Sequence, residues 1–380
     1  MRLTRRNTLL ALAVVALAVV AVACAPNASQ DSLNPQGEFA RKSHDLFVPV
    51  FWVAAAIFVL VEGTIVLFAW RYRHRKGRDQ IPPQIHGNTR LEIAWTILPA
   101  IVLAGVAVPT VTTIFDLARE PEATNLQVNV LGHQWWWEFN YPEEGLNVPN
   151  ELHIPTGRPV YLTLCAVGFA YSEDEPAPSP SECQPGGGEG PNAAILGASV
   201  IHSFWPPELA GTQDVVPGQT NHMYLEADRP GTYEGQCKEF CGLSHAYMKF
   251  TVVAHTPEDY EAWVAEQQQP ATSDGLTGSA EAGRDAFLNS IPGGCTQCHA
   301  IDGLTDASGE EVLGSNEGPN LTHFASRECF AGCILFTDDD EALRRWLDDP
   351  PAVKSGSWMP DYDLSEQQIA DLIAYLRTLE

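Results

Sequence analysis

Basic residues are scarce in this 380-residue chain: 22 Lys and Arg stand against 48 Asp and Glu, a formal net charge of −26. From Glu92 onward 11 cations face 43 acids. So anionic a field repels a polyanion, which excludes nucleic acid as a partner and favours a basic soluble one. Methionine is scarcer still, four in all, so Met248 and Met359 stand out where they sit near other soft donors. There is no internal repeat, which leaves no sign of a solenoid or propeller.

Long apolar runs, by contrast, are present. Arg2, Arg5 and Arg6 precede an apolar stretch at 9–22, and residues 1–24 have the form of an export signal. AVAC at 21–24 resembles a lipoprotein cleavage box in which Cys24 becomes a lipidated N-terminus; an uncleaved anchor and an ordinary signal peptide are the alternatives. Residues 25–46 are then an extracytoplasmic segment. Two further runs, 47–70 and 93–115, each exceed the about 20 residues that span roughly 30 Å of hydrocarbon. The loop between them, 71–92, carries Arg71, Arg73, Arg75, Lys76, Arg78 and Arg90, with Asp79 the one acid before Glu92. A short basic loop stays in the cytoplasm, so 47–115 reads as a lipid-embedded transmembrane hairpin with everything after it outside.

Residues 124–255 read as β structure. LQVNVLGHQWWWEFNY, GRPVYLTLCAV, ASVIHSFW, TNHMYLEA, GTYEGQC and MKFTVVAH are rich in β-branched and aromatic residues and are separated by Pro and Gly, as in a sandwich or barrel. YSEDEPAPSPSECQPGGGEGPN at 171–192 is a surface insertion. Residues 256–278 are a helix and a polar linker, with Thr256 opening the helix through a Thr-x-x-Asp cap. The final segment, 279–380, is a small all-α domain in which Ser279 and Ser365 are expected as N-caps and DDDE at 338–341 as a helix start favoured by the dipole. Of nine cysteines, Cys165, Cys183, Cys329 and Cys333 lie outside the motifs below; the pairs 165–183 and 329–333 are expected, although spacing alone does not fix the connectivity.

CTQCH at 295–299 is the stronger of two soft-ligand clusters. Two thiols bond the vinyl groups of a haem and the adjacent histidine reaches the iron; a zinc pair or a chance match is the alternative. Met359, in SWMPDY, is the domain's one methionine and the expected second axial ligand, with His323 as its rival. The domain resembles a class I cytochrome c. That resemblance implies one covalent haem held by Cys295, Cys298, His299 and Met359, with Pro319 of GPNL supporting the histidine. The EVLGS and ECFAGC segments fit it less well.

In QCKEFCGLSHAYM, 236–248, two cysteines four apart precede a histidine and a methionine. Such soft donors suit copper over calcium or magnesium; zinc or a redox-active disulfide are alternatives on this motif alone. HSFW at 202–205 adds a second histidine. Together these residues resemble the copper A site in subunit II of haem–copper cytochrome c oxidases, and the likeness runs from the hairpin to about residue 255. It implies a cupredoxin-like Greek-key barrel or sandwich. Cys237 and Cys241 would bridge two coppers, His202 and His245 would cap one each, and Met248 and the Glu239 carbonyl would be weak axial ligands. The Glu239 side chain would help hold a magnesium ion at the subunit I boundary. Trp135 of GHQWWWEF matches the tryptophan where electrons enter, with Trp136 departing from the tyrosine common in relatives; core packing or an interfacial belt are the alternatives for these three tryptophans. Glu92 matches the carboxylate at the mouth of a proton path, or is a snorkelling acid.

The resemblance implies subunit II of an oxidase in the bacterial inner membrane, its N-terminus and C-terminal domains on the periplasmic side. Its partners would be subunits I and III. A soluble or membrane-bound cytochrome c, or a quinol-oxidising complex, would be the donor. The chain would be an enzyme only within the complex. A copper A nitric oxide reductase and a copper-delivery protein are the alternatives; quinol oxidase subunits II lack the copper ligands.

Overall fold

The computed structural model describes residues 14–15, 28–73, 86–119, 122, 124–167, 200–271, 275–306, 308–315 and 317–380. Cys24, most of the basic loop, Cys183 and the 171–192 insertion lie outside the described residues.

Two helices long and apolar enough to cross a membrane come first, α1 (Glu38–Arg71) and α2 (Thr89–Leu117). Both are longer than the apolar runs that announced them, because hydropathy marks only the apolar turns. The extra turn of α1 is held by protein: Phe39 is 1% exposed and stacks on Tyr224 at 5.1 Å. The Arg119 guanidinium lies 5.6 Å from the Phe39 ring and 5.3 Å from that of Tyr224. The hairpin is thereby fixed against the domain that follows.

That domain is a sandwich of two five-stranded sheets. One has the order β3 (Leu146–Pro149), β2 (Trp136–Tyr141), β1 (Leu126–His133), β5 (Val160–Ala166) and β8 (Asn221–Leu225). The other has the order β4 (Glu151–Pro155), β10 (Lys249–His255), β9 (Gly231–Cys237), β6 (His202–Trp205) and β7 (Gln213–Val215). β1 runs parallel to β5 and β10 parallel to β4, while the remaining pairs are antiparallel. The strict alternation of buried and half-exposed residues along KFTVVAH shows why period two selects a strand here. Between the sheets Phe204 stacks on Phe250 at 4.1 Å, and Trp137 meets both rings edge-on. The aromatic stretch expected as one run is two strands, β1 and β2, paired as a hairpin.

Helix α3 (Pro257–Gln267) starts as expected, the Thr256 hydroxyl accepting from the Asp259 amide at 3.1 Å. The C-terminal domain contains α4 (Ser279–Asn289), the short pair β11 (Cys329–Phe330) and β12 (Leu335–Phe336), α5 (Asp340–Asp348), α6 (Pro350–Val353) and α7 (Glu366–Leu376). Ser365 caps α7 in a reciprocal box with Gln368, and Asp339 caps α5. Ser279 is not a cap: Gly278 takes that position, and the Ser279 hydroxyl donates to the Asp371 carboxylate of the crossing helix α7. Cys329 and Cys333 form a disulfide. Cys165 is also disulfide-bonded. The linker does not leave this domain merely tethered. The amides of Glu328 and Cys329 donate to the Glu151 carboxylate of β4 at 2.8 and 3.1 Å, so the helical domain is packed on the sandwich.

Candidate metal and haem centres

Strand β9 ends at Cys237, and the chain turns through an exposed loop to Cys241, a short helical turn at His245–Tyr247, and Met248 at the start of β10. β6, beside β9 in the same sheet, delivers His202 to that turn. The two sulfurs are 3.8 Å apart; His202 Nδ1 is 3.9 Å from Cys237 Sγ and His245 Nδ1 is 3.6 Å from Cys241 Sγ. Met248 Sδ lies 3.9 Å from Cys241 Sγ, and the Glu239 carbonyl 3.2 Å from Cys237 Sγ. The donor atoms of His202, Cys237 and Cys241 all fall within 4.8 Å of one another. Cys237, Cys241, His202 and Met248 are buried, whereas the Glu239 side chain is exposed.

The cluster fits a soft metal. Its donors are thiolate, imidazole and thioether, with no carboxylate among them. The hydrogen bond from Cys241, aided by His202, lowers the pKa of Cys237 and so favours its thiolate. Taking the second proton, from Cys241 beside that thiolate, is correspondingly harder. Two donors, Trp135 Nε1 and Gln134 Nε2, each at 2.9 Å, fix the Cys241 carbonyl. The loop is therefore braced by the aromatic hairpin, and Trp135 is one hydrogen bond from a candidate ligand.

In the helical domain Cys295, Cys298 and His299 line one wall of an apolar cavity, and Met359 lines it too, with Leu343, Leu372 and Trp346. His299 Nδ1 donates to the Pro319 carbonyl at 2.8 Å, which leaves Nε2 free to face the cavity. Burial lowers the pKa of His299 and so favours the neutral, ligating imidazole. Burial raises both thiols, Cys295 to about 11. An apolar slot with two thiols, an imidazole and a thioether fits a covalently held haem. The rival His323 is elsewhere: its ring nitrogens face the carbonyls of Glu380 and Gln267, at 2.9 and 3.1 Å.

Glu92 sits in the first turn of α2 as part of a cap. Its carboxylate accepts from the Asn88 amide at 3.1 Å, while the Asn88 side chain accepts from Arg90 and Leu91. Sequence reading missed two buried cations at the cavity. Arg327 donates to the Asn320 carbonyl, and burial lowers its pKa to about 10. Lys354, 4% exposed, donates to the Trp135 and Ala331 carbonyls at 2.5 and 2.8 Å, and burial lowers its pKa to about 7. Neither residue belongs to a motif, and no local signal marks them. Trp135 and Trp136 also line the cavity, so the two candidate centres meet at the aromatic hairpin.

Three family descriptions match in succession: the transmembrane domain of cytochrome c oxidase subunit II over 27–113, its periplasmic domain over 192–255, and cytochrome c over 280–380. Cytochrome c oxidase subunit 2 of Alkalihalophilus pseudofirmus is 36% identical, across 94% of this chain and 93% of that one. The protein of the same description from Bacillus sp. (strain PS3) is 32% identical, across 92% and 91%. Quinol oxidase subunit 2 of Bacillus cereus is 33% identical across 63% of this chain and 73% of its own. A crystal structure of the periplasmic domain of subunit II of cytochrome oxidase from Bradyrhizobium japonicum is 20% identical, covers 39% of this chain and 96% of that one, and has a TM-score of 0.29. A two-helix hairpin, a cupredoxin-like sandwich holding a soft-donor cluster and a CxxCH domain occur here in the order those three descriptions require, and the chain belongs to the cytochrome c oxidase subunit II family, with a fused cytochrome c domain.

Proposed function

We propose that this chain carries electrons from an outside donor to subunit I of a haem–copper oxidase, using a c-type haem and a binuclear copper A centre in its own two extramembrane domains. When bound, these groups accept and release single electrons, which subunit I uses to reduce oxygen to water with proton translocation. The observation that carries the reading is the convergence on Trp135: its indole donates to Cys241 and its ring lines the cavity of His299 and Met359.

The residues take these roles. Cys237, Cys241, His202, His245, Met248 and the Glu239 carbonyl would hold the copper centre, which would supply one-electron chemistry there. Cys295 and Cys298 would anchor the porphyrin, and His299, steadied by Pro319, and Met359 would hold its iron. Arg327, a buried cation lining the same pocket, would offer its charge to a porphyrin carboxylate. Trp135 relays electrons between the domains. The Glu239 carboxylate adds a magnesium ligand at the subunit I boundary, and Glu92 marks a proton entrance. The domains are assigned as 1–24 signal, 47–115 hairpin, 124–255 copper domain and 279–380 haem domain. Both extramembrane domains face the periplasm, subunits I and III are neighbours in the membrane, and a cytochrome c or quinol-oxidising complex is the donor.

The test is metal and haem analysis of the purified complex together with oxygen uptake. About two coppers and one covalent haem per chain of this subunit are expected beyond the content of subunit I. Zinc, or no metal, in the sandwich under copper-replete growth sinks the reading. Nitric oxide reduction without oxygen uptake replaces it with the reductase alternative. The sandwich fold, with its second histidine on β6, argues against the copper-delivery reading.

A further inference from the structure

The cytochrome c resemblance leaves ECFAGC unexplained, and this segment lies at the seam between the domains. β11 and β12 form a hairpin closed by the Cys329–Cys333 disulfide, and its tip, Ala331 to Cys333, has φ of 55°, 78° and 54°. On one side the Glu328 and Cys329 amides donate to Glu151, a buried carboxylate of the sandwich. At the tip, the Lys249 amide of β10 donates to the Gly332 carbonyl at 3.2 Å. A Cβ at Gly332 would stand 2.4 Å from the Tyr247 carbonyl and 3.1 Å from that of Trp135, so no side chain fits.

Lys354 completes the seam. Its ammonium is bonded to one carbonyl of each domain, Trp135 and Ala331, and is satisfied only while they are docked. Two residues on, a Cβ at Gly356 would lie 2.7 Å from the Trp135 ring and 3.1 Å from Leu243. The Ser244 hydroxyl, from the copper loop, donates to the Ser355 carbonyl at 2.5 Å. Trp135 is left 7% exposed beneath these contacts.

We propose that the disulfide-closed loop around Gly332 and the Lys354 side chain form a docking latch, which holds the haem domain on Trp135 and closes that tryptophan to diffusible electron donors. The latch rests on the electron-transfer reading above and adds its positioning residues. The step it serves moves one electron, with iron oxidised and copper reduced, and no atom or proton changes hands. A diffusible donor therefore meets the haem domain and not the copper domain.

The experiment uses the intact purified complex, comparing parent protein with Lys354→Met and with the double variant Cys329→Ser, Cys333→Ser. Hydrogen–deuterium exchange is read over residues 133–137 and 328–333, and haem-to-copper transfer is followed after photoreduction of the haem. In either variant exchange is expected to rise, and transfer to slow, by about tenfold, equivalent to ~1.4 kcal/mol of docking free energy, while covalent haem and copper content stay as in the parent. Parental exchange and transfer rates in variants with intact haem and copper content overturn the proposal. Should Lys354→Met fail to assemble, the double variant decides alone. Exchange over 328–333 reports the contacts with Glu151 and can be read without copper, so a copper-free parent complex sinks the functional reading while the latch is still judged.

Discussion

Gly318, the residue before the histidine-supporting proline, offers a direct test of how the haem pocket is built. A Cβ at this position would lie 2.7 Å from His299 Cε1 and 2.9 Å from its Nδ1. Ordinary contact begins at 3.4 Å, so in Gly318→Ala the ring must retreat by 0.7 Å (3.4 − 2.7). It cannot do so freely. Nδ1 is bonded to the Pro319 carbonyl at 2.8 Å, and the same retreat stretches that bond toward 3.5 Å (2.8 + 0.7), where little of it survives. The Gly318 amide is itself tied to the Cys298 carbonyl at 2.6 Å, so the loop cannot swing away instead. Losing the hydrogen bond costs about 1 kcal/mol and the overpacking about 1–3 kcal/mol more. Unfolding of the haem domain, followed by haem absorbance during denaturant titration of the complex, should shift by ~2–4 kcal/mol. The reduction potential should shift as well, because the imidazole loses the partner that orients it. A variant with the parental midpoint and potential would refute this account of the pocket.

Met248→Leu should change the near-infrared absorption and potential of the copper centre while sparing haem attachment; identical spectra would count against a role for the buried thioether. Met359→Ala should keep the covalent haem and lose its low-spin methionine-ligated band. His323 should not substitute, since both its nitrogens face backbone carbonyls, and a retained band would show that it does. His255 gives a pH dependence of stability. Burial, then the neighbouring His153, lowers its folded pKa below 6.5, with Asp259 opposing. The unfolded chain therefore binds more protons just below pH 6.5, and stability falls as pH drops through 6.5 toward the folded value. Melting of the complex between pH 7.5 and 5.5 should show that decline, and His255→Gln should flatten it.

What the sequence reveals best is chemistry confined to a few neighbouring residues. Covalent attachment needs CxxCH within a single turn, and the copper loop needs its donors within a dozen positions, so both can be read from spacing. The β domain is legible for a similar reason, because period two in KFTVVAH marks a strand without reference to any partner. Ser279 shows where local reading fails. By type and position it suits a cap, yet its hydroxyl is claimed by Asp371, 92 residues away, across the α4–α7 crossing. The same blindness hides Glu151, Arg327 and Lys354. Each is a charged residue whose local sequence gives no sign that the tertiary structure buries it.

That docking changes how the acidity of the chain is understood. A flexible linker alone would give the haem domain an effective concentration of about millimolar near the copper loop and leave Trp135 open between encounters. The packed seam instead leaves Trp135 7% exposed. On the proposed reading, a donor drawn in by the negative field would meet the outer surface of the haem domain. Residues 279–380 contain 19 Asp and Glu against six Lys and Arg, and two of those six, Arg327 and Lys354, are buried in the interior. These two basic side chains are withdrawn from the surface field: both line the cavity, and Lys354 also bridges the seam. Under the proposed function, the same allocation of charge would serve two ends, leaving the exposed face acidic for a basic donor while Lys354 helps hold the haem domain on Trp135.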